Sequence, residues 1–392
     1  MTSQIEFGVV SHPEEAEKLG KILCQCFNFS ASEWPNYRDR LTLENFRFVR
    51  QNGEIAAGLG IYQMGQWFGG NSVPMAGIAA VGVAPEYRGK NVALTLLSNT
   101  IRELYSKGVP ISTLYPATQR LYRKVGYEQG GSRCAWELPI ASINKRDRTL
   151  PIHQVKTNHP EIFQDIYRQQ AKQNNGNLDR NSGIWERVFL IYKNDVIYAY
   201  LVGEETQPEG YIIFRQKIDG KASYLEILDW VALTPSAIDC LWTFIADHRS
   251  QINYVRWYAG AIDPRLLLLP EQTAKLSRSE LWFLRVIDLE KALTWRGYPP
   301  LIEGELHLAV KDELIAENDG NFILTVAGGK GEVTRGGRGD LQLNISSLAS
   351  LYTGLFTPLQ LKVTGKLEST DKEILTATQM FAGSHPWMPD MF

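Results

Sequence analysis

The chain has 392 residues, in which 41 Lys and Arg nearly balance 43 Asp and Glu, giving a formal net charge of −2. That balance offers no polyanion-binding surface, so nucleic acid is not an expected partner. With 44% hydrophobic and 21% charged residues, the chain reads as a soluble globular protein, too long for one ordinary domain; two or three are expected.

Met1-Thr2-Ser3-Gln4-Ile5-Glu6 lacks the basic and then apolar run of a secretory signal, and no stretch approaches the ~20 apolar residues that span a bilayer. A cytoplasmic protein without membrane contact is expected. Ile5 to Val10 reads as a strand, and Pro13 to Phe27 as a helix started by Ser11 or His12, with Ala16, Leu19, Ile22 and Leu23 on one face. Aromatic residues crowd the next segment: Phe27, Phe29, Trp34 and Tyr37. They suit a pocket for a cationic amine, with Glu33 and Asp39 as counter-charges, and they equally suit packing between two helices. Strands at Phe46 to Gln51 and Ile55 to Tyr62 flank the hairpin signal Asn52-Gly53.

Ile78 to Val83 is an apolar, partly β-branched strand that Pro85 ends, and Val92, Ala93, Leu94, Leu96, Leu97 and Ile101 recur at helical spacing behind it. The connection Arg88-Gly89-Lys90-Asn91 is short and basic. Backbone N–H groups at the start of such a helix have no intrahelical partner, so this is an anion site with Arg88 and Lys90 beside it. Asn91 tolerates φ > 0 better than other non-glycine residues. A further strand, Ile111 to Tyr115, leads through Ala117 to Arg120 into Leu121-Tyr122-Arg123-Lys124-Val125-Gly126-Tyr127, and Ala135 to Pro139 closes the sheet.

The middle third echoes the first. Strands at Val196 to Val202, Gly210 to Gln216 and Ser223 to Val231 precede Pro235, the helix Ser236 to His248 and the strand Tyr254 to Tyr258. After Pro235 come Ser236-Ala237-Ile238-Asp239, with no Arg, Lys or Gly to receive a phosphate. In the last third a strand, Leu281 to Leu289, runs into the helix Leu289 to Trp295. Strands at Gly304 to Val310, Asn321 to Val326 and Gly331 to Arg335 follow, then helices at Ser346 to Tyr352, Pro358 to Thr364 and Asp371 to Phe381. The glycines from Gly328 to Gly339 lack the spacing of a nucleotide loop and read as hairpin turns. Cys24, Cys26, Cys134 and Cys240 show no paired C-x-x-C spacing and the six histidines are scattered, so neither a disulfide framework nor a metal site is expected.

Arg88-Gly89-Lys90-Asn91-Val92-Ala93 resembles the Arg/Gln-x-x-Gly-x-Gly/Ala loop with which GCN5-related N-acetyltransferases (GNAT) hold the pyrophosphate of coenzyme A, with Asn91 standing where that family usually has Gly. Leu121-Tyr122-x-x-x-Gly126-Tyr127 resembles the element carrying the family's proton-donating tyrosine. The resemblance implies acetyl-CoA as co-substrate. It assigns Val81, Gly82 and Val83 to the thioester and pantetheine, Arg88, Gly89, Lys90, Asn91, Val92, Ala93 and Leu94 to the pyrophosphate, Ala117 and Thr118 to the pantetheine arm, and Tyr122 to protonation of the departing thiolate.

The whole chain is similar to the enhanced intracellular survival (Eis) acetyltransferases, through these motifs, the junction Leu284 to Pro299 and the final residues. That likeness implies α/β and α+β architecture: a GNAT domain over 1–145, a degenerate GNAT-like domain over 146–283 and a sterol-carrier-like domain over 284–392. It also implies a homo-oligomer, often hexameric, small cationic amine acceptors of aminoglycoside or polyamine type, and a general base in the α-carboxylate of Phe392. Phe29, Glu33, Trp34 and Asp390 are candidate acceptor contacts. An acyl-CoA or lipid-binding carrier and a protein-lysine acetyltransferase are the alternatives.

Overall fold

The structure, a computed structural model, describes residues 5–157, 159–190, 195–220 and 222–392. Strand β1 (Ile5–Val9) leads to helix α1 (Pro13–Phe27), whose start is set by Pro13 at the first turn and by Glu15, which accepts from the backbone N of Ser11 (3.0 Å) and of His12 (3.3 Å). Helix α2 (Trp34–Leu41) precedes β2 (Phe46–Gln51). The turn at Asn52 and Gly53 has φ of 52° and 87°, as a two-residue hairpin needs, and feeds β3 (Glu54–Phe68), which pairs with β4 (Asn71–Val83). Helix α3 (Val92–Ser106) then crosses over to β5 (Ile111–Leu114), parallel to β4, and α4 (Gln119–Arg123) follows.

These strands lie in the order β1-β2-β3-β4-β5. Val92, Leu96, Leu97, Ile101 and Leu104 put one face of α3 onto Val49, Ala57, Leu59, Ile61, Ile78 and Leu114. Each such fully buried aliphatic side chain contributes ~1.5–3 kcal/mol, so this packed stripe holds α3 and fixes where its N-terminus points.

A second unit comprises residues 131–281 with 384–391. Its elements are β6 (Glu128–Pro139), β7 (Ile152–Val155), α5 (Glu161–Ala171), β8 (Leu178–Asp179), α6 (Ser182–Val188), β9 (Ile197–Glu204), β10 (Gln207–Asp219), β11 (Ala222–Ala232), α7 (Pro235–Ala246) and β12 (Tyr254–Ala259). Here the strand order is β6-β12-β11-β10-β9-β7. The echo in the sequence is a repeat of topology: β10 and β11 are antiparallel, α7 crosses over, and β12 returns parallel to β11, as in β3-β4-α3-β5. Trp230, Trp242 and Trp257 meet edge to face within 6.0 Å at the centre of this core.

Residues 282–383 belong with the first unit. The end of β13 (Lys275–Val286) pairs antiparallel with β5 from Phe283↔Leu114 to Val286↔Ile111. Asp288 then caps α8 (Leu289–Trp295) through the Lys291 N–H (3.1 Å). The remaining strands, β14 (Gly304–Lys311), β15 (Gly320–Ala327), β16 (Lys330–Arg335), β17 (Leu341–Asn344) and β18 (Leu367–Ser369), form a sheet ordered β16-β15-β14-β17-β18. Gly328 and Gly329 make the β15–β16 hairpin turn. Helices α9 (Ile345–Thr353), α10 (Pro358–Val363) and α11 (Asp371–Met380) complete it, and Leu306, Leu324, Leu348, Tyr352 and Met380 fill its interior. Among the described residues no helix is long and apolar enough to cross a membrane.

Candidate active site

Two irregularities in β4 create the site. Gly58 pairs with Gly82 but Gly60 with Ala79, so Ala80 and Val81 together face Leu59. This is a β-bulge, and Ala80 absorbs it at φ +50°, a left-handed conformation that an alanine adopts only under local constraint. Parallel pairing of β4 with β5 covers only Met75 to Gly77 against Ile111 to Thr113. Beyond Gly77 no pairing with β5 continues, and Val83, at the end of β4, borders the same cavity as the first residues of α3.

The loop that follows is shaped for an anion. Gly89 has φ +75° and Asn91 φ +60°, so Asn91 occupies the left-handed position its residue type allows. No side chain caps α3, and intrahelical bonding begins with Thr95 N to Asn91 O (2.9 Å). The N–H groups of Val92, Ala93 and Leu94 therefore have no partner within the helix. They border a cavity of ≈ 340 Å³ lined by Val83, Arg88, Gly89 and Asn91 to Leu94 on one side and by Thr118, Arg120, Leu121 and Lys124 on the other. Arg120 and Lys124 add two positive charges to the one that Arg88 brings. Lys90, in contrast, turns back on the loop, with Nζ on Glu86 O (2.9 Å) and over the Tyr87 ring. Val81, Gly82, Lys90 and Ala117 are not among the residues lining this cavity.

Tyr122 sits on α4, 5% exposed, in the core that also holds Val92 and Leu96. Burial pushes its phenol up to about 12, so it is a protonated donor throughout the neutral range. Among the described residues its hydroxyl has no hydrogen-bond partner. The neighbouring Tyr127 differs: because Ser112 Oγ donates to Ala76 O (2.7 Å), Tyr127 must donate to Ser112 (2.7 Å), which commits it to structure.

The last residue also belongs to the first unit. The ring of Phe392 lies edge-on to Tyr62 and to Tyr115, each at 6.0 Å, and rests on Gly77, where a Cβ would come within 2.7 Å of it. Gly77 is the last residue of β4 that pairs with β5, so Phe392 lies over the point where that pairing ends. Tyr62 is 2% exposed and its hydroxyl has no partner among the described residues.

Comparison with known proteins fits this geometry. An acetyltransferase (GNAT) domain family matches residues 11–130 and a second such family residues 176–286, and a sterol carrier protein domain family matches 289–389. A crystal structure of a GCN5-related N-acetyltransferase from Anabaena variabilis is 50% identical, covers 99% of this chain and 100% of its own, and superposes with a TM-score of 0.97. The chain belongs to the GCN5-related N-acetyltransferases. A family member from Kribbella flavida is 28% identical with a TM-score of 0.88, covering 100% of this chain and 99% of that one. The N-acetyltransferase Eis of Mycobacterium tuberculosis is 23% identical over 322 residues, 77% of this chain and 76% of that protein. The architecture is thus two GNAT domains followed by a sterol-carrier-like domain, and the chain is an N-acetyltransferase of a family that uses acetyl-CoA.

The second GNAT domain keeps the bulge: Ile213 pairs with Asp229 and Phe214 with Ile227, leaving Leu228 extra. Its helix N-terminus is spent, however. Thr234 Oγ1 accepts from Ala237 N (3.1 Å) and donates to Glu209 Oε2 (2.5 Å). A capping side chain and a carboxylate stand where the first domain offers bare N–H groups, which opposes a pyrophosphate there.

The expected acceptor contacts are placed unevenly. Trp34 is buried, T-shaped against Phe46 at 5.4 Å and pressed on Gly20 of α1, so packing between helices is its role. Phe29 is half-buried beside Tyr37 at 6.0 Å. Glu33 is exposed and accepts from Ser30 N (2.7 Å) and Oγ (2.9 Å), which lowers its pKa. Asp390, expected to face an amine, is instead buried on Arg180 in the second unit. Tyr62, Tyr115, Arg120 and Lys124 were not singled out in the sequence. The basic spacing Arg120, Arg123, Lys124 after the strand at Ile111 was the available signal for the last two.

Proposed function

We propose that this chain transfers the acetyl group of acetyl-CoA to a primary amine of a small cationic acceptor, of aminoglycoside or polyamine type, by direct attack in a ternary complex. The observation that carries the reading is the uncapped α3 N-terminus, with Asn91 in the left-handed conformation, opening beside the bulged edge of β4. The pyrophosphate suits the N–H groups of Val92 to Leu94 with Arg88, Arg120 and Lys124 around them, and the cavity there has the size of a nucleotide-end pocket.

The residues then divide the chemistry. The α-carboxylate of Phe392, with an ordinary pKa of about 3.5, is ionised at neutral pH and takes a proton from the acceptor ammonium. The freed nitrogen lone pair attacks the thioester carbonyl, and backbone N–H groups at Val81 and Val83 receive the developing oxyanion and the pantetheine. As the C–S bond breaks, Tyr122 gives its proton to the departing thiolate and regains one, through water, from the attacking nitrogen, so a neutral amide and a free thiol leave. Phe29 and Glu33 border the acceptor. We assign the GNAT domains to 1–145 and 146–283 and the sterol-carrier-like domain to 284–392, acting as a cytoplasmic homo-oligomer, hexameric by likeness to Eis.

Thiol release from acetyl-CoA with a panel of aminoglycosides, polyamines and lysine peptides tests this reading. Turnover with the small polycations and stoichiometric amide in the product support it. Turnover confined to peptides favours the protein-lysine reading, and coenzyme A binding without turnover on any amine favours a carrier.

A further inference from the structure

The helix that carries Tyr122 is too short to hold itself. α4 has five residues and no side-chain cap at its start, and isolated helices below ~12 residues are marginal in water. Where Tyr122 points is therefore set by what the end of α4 rests on. That end is a tight turn: Tyr122 O accepts from Val125 N and from Tyr127 N, both at 3.1 Å, with Gly126 between them at φ +84°. The Tyr127 ring then meets the Tyr122 ring edge to face at 6.1 Å.

Behind this turn lies a guanidinium. A Cβ on Gly126 would come within 2.8 Å of Arg285 Cζ and Nη1 and 2.9 Å of Nε, so the Arg285 side chain rests on the glycine itself. Arg285 is fully buried on β13, in register with Ser112 of β5, the residue that receives the Tyr127 hydroxyl. Its Nη2 donates to both carboxylate oxygens of Asp312, at 2.8 and 2.7 Å. Asp312, from the sterol-carrier-like domain, accepts further from Leu314 N (3.0 Å), Ile315 N (3.3 Å) and Asn318 Nδ2 (3.0 Å). Ile315 also joins the apolar core that holds Tyr122, Val125 and Tyr127.

Nε and Nη1 of Arg285 have no hydrogen-bond partner among the described residues. Bare donors on a buried group cost roughly 1–3 kcal/mol each, so stability does not explain the residue. A lysine would bring Asp312 its counter-charge without them; what only arginine brings is a flat, rigid face against Gly126. We propose that Arg285, oriented by Asp312, is a positioning residue that fixes the turn ending α4 and so directs the Tyr122 hydroxyl to the departing thiolate. This rests on the reading of Tyr122 as the acid. Arg285 and Asp312 are buried and do not line the cofactor cavity, so they act through the turn and touch no substrate.

The test is a double-mutant cycle against Tyr122→Phe in the full-length chain. Arg285→Lys keeps a counter-charge for Asp312 but removes the flat face; Arg285→Gln combined with Asp312→Asn removes both charges together, so no buried ion is left unpaired. With Tyr122 present, each change is expected to lower kcat roughly 10-fold, the scale of a slightly displaced catalytic group. Coenzyme A affinity by calorimetry stays within about threefold, because Arg88 and the N–H groups of Val92 to Leu94 are untouched. In the Tyr122→Phe chain neither change lowers kcat by more than about twofold. Equal losses in both backgrounds would overturn the positioning role, as would wild-type kcat in both folded variants while Tyr122→Phe collapses turnover. A Tyr122→Phe protein with unchanged kcat would instead sink the acid reading itself, and the positioning role with it.

Discussion

Gly77→Ala moves Phe392 without removing it. The added Cβ would stand 2.7 and 3.1 Å from two carbons of the Phe392 ring and 2.5 Å from Met64 Cε. Carbon atoms rest at about 3.5–4.0 Å, so each contact is too short by roughly 1 Å. The end of Met64 is flexible and can swing away; the Phe392 ring, edge-on to Tyr62 and Tyr115, must shift as a body. A misplacement of about 1 Å in a catalytic group costs on the order of 100-fold in rate, and overpacking of this kind costs about 1–3 kcal/mol in stability. The expected result is kcat down about 100-fold with coenzyme A affinity unchanged by calorimetry, and no added loss in a chain already lacking Phe392. Wild-type kcat in a folded Gly77→Ala protein would refute the placement of Phe392 at the reacting centre.

Two other variants test the cofactor loop and the acid. Asn91→Ala places an ordinary side chain at φ +60°, at a cost of about 1–2 kcal/mol that the loop meets by relaxing, so KM for acetyl-CoA is expected to rise about tenfold; Asn91→Gly should bind as well as wild type. Equal coenzyme A affinity in the Ala and Gly variants would show that loop shape does not matter. Tyr122→Phe is expected to lower kcat by roughly 100-fold or more with little change in KM. With its phenol pushed up to about 12 by burial, the wild-type rate should not fall between pH 7 and 10. The folded pKa lies above the unfolded value, so this group's contribution to stability is whole below about pH 10 and is lost as pH climbs toward 12, which thermal unfolding across that range measures.

Much of the fold is legible in the sequence because local signals agree with the tertiary ones. Asn52-Gly53, the apolar stripe of α3 and Pro235 at the start of α7 each mark an element that forms where they stand. The strands β3 and β4 run further than their patterns suggest, since Gln63 to Gln66 and Pro74 interrupt the apolar alternation. Gln66 is nonetheless fully buried, its polarity satisfied by Thr113 of β5 at 2.8 Å. Short strands such as β17 and β18 carry too few residues for a period to show.

The loop half of the site is written in consecutive residues and could be read. Its other half depends on distant pairings. Nothing near Asp390 announces Arg180, 210 positions earlier, so a charged residue beside the chain end reads as solvent-facing when it is buried. Trp34 likewise reads as pocket or core until Gly20 shows which. The bulge at Ala80 leaves no trace in residue type, because its cause is the mismatch of register with Leu59.

The most direct measurement compares the intact chain with one lacking only Phe392, by single-turnover thiol release from acetyl-CoA with a polyamine acceptor, alongside coenzyme A binding. Collapse of turnover with binding retained is the expected result. Full turnover without Phe392 would contradict the assignment of its carboxylate as the base and would place proton removal elsewhere.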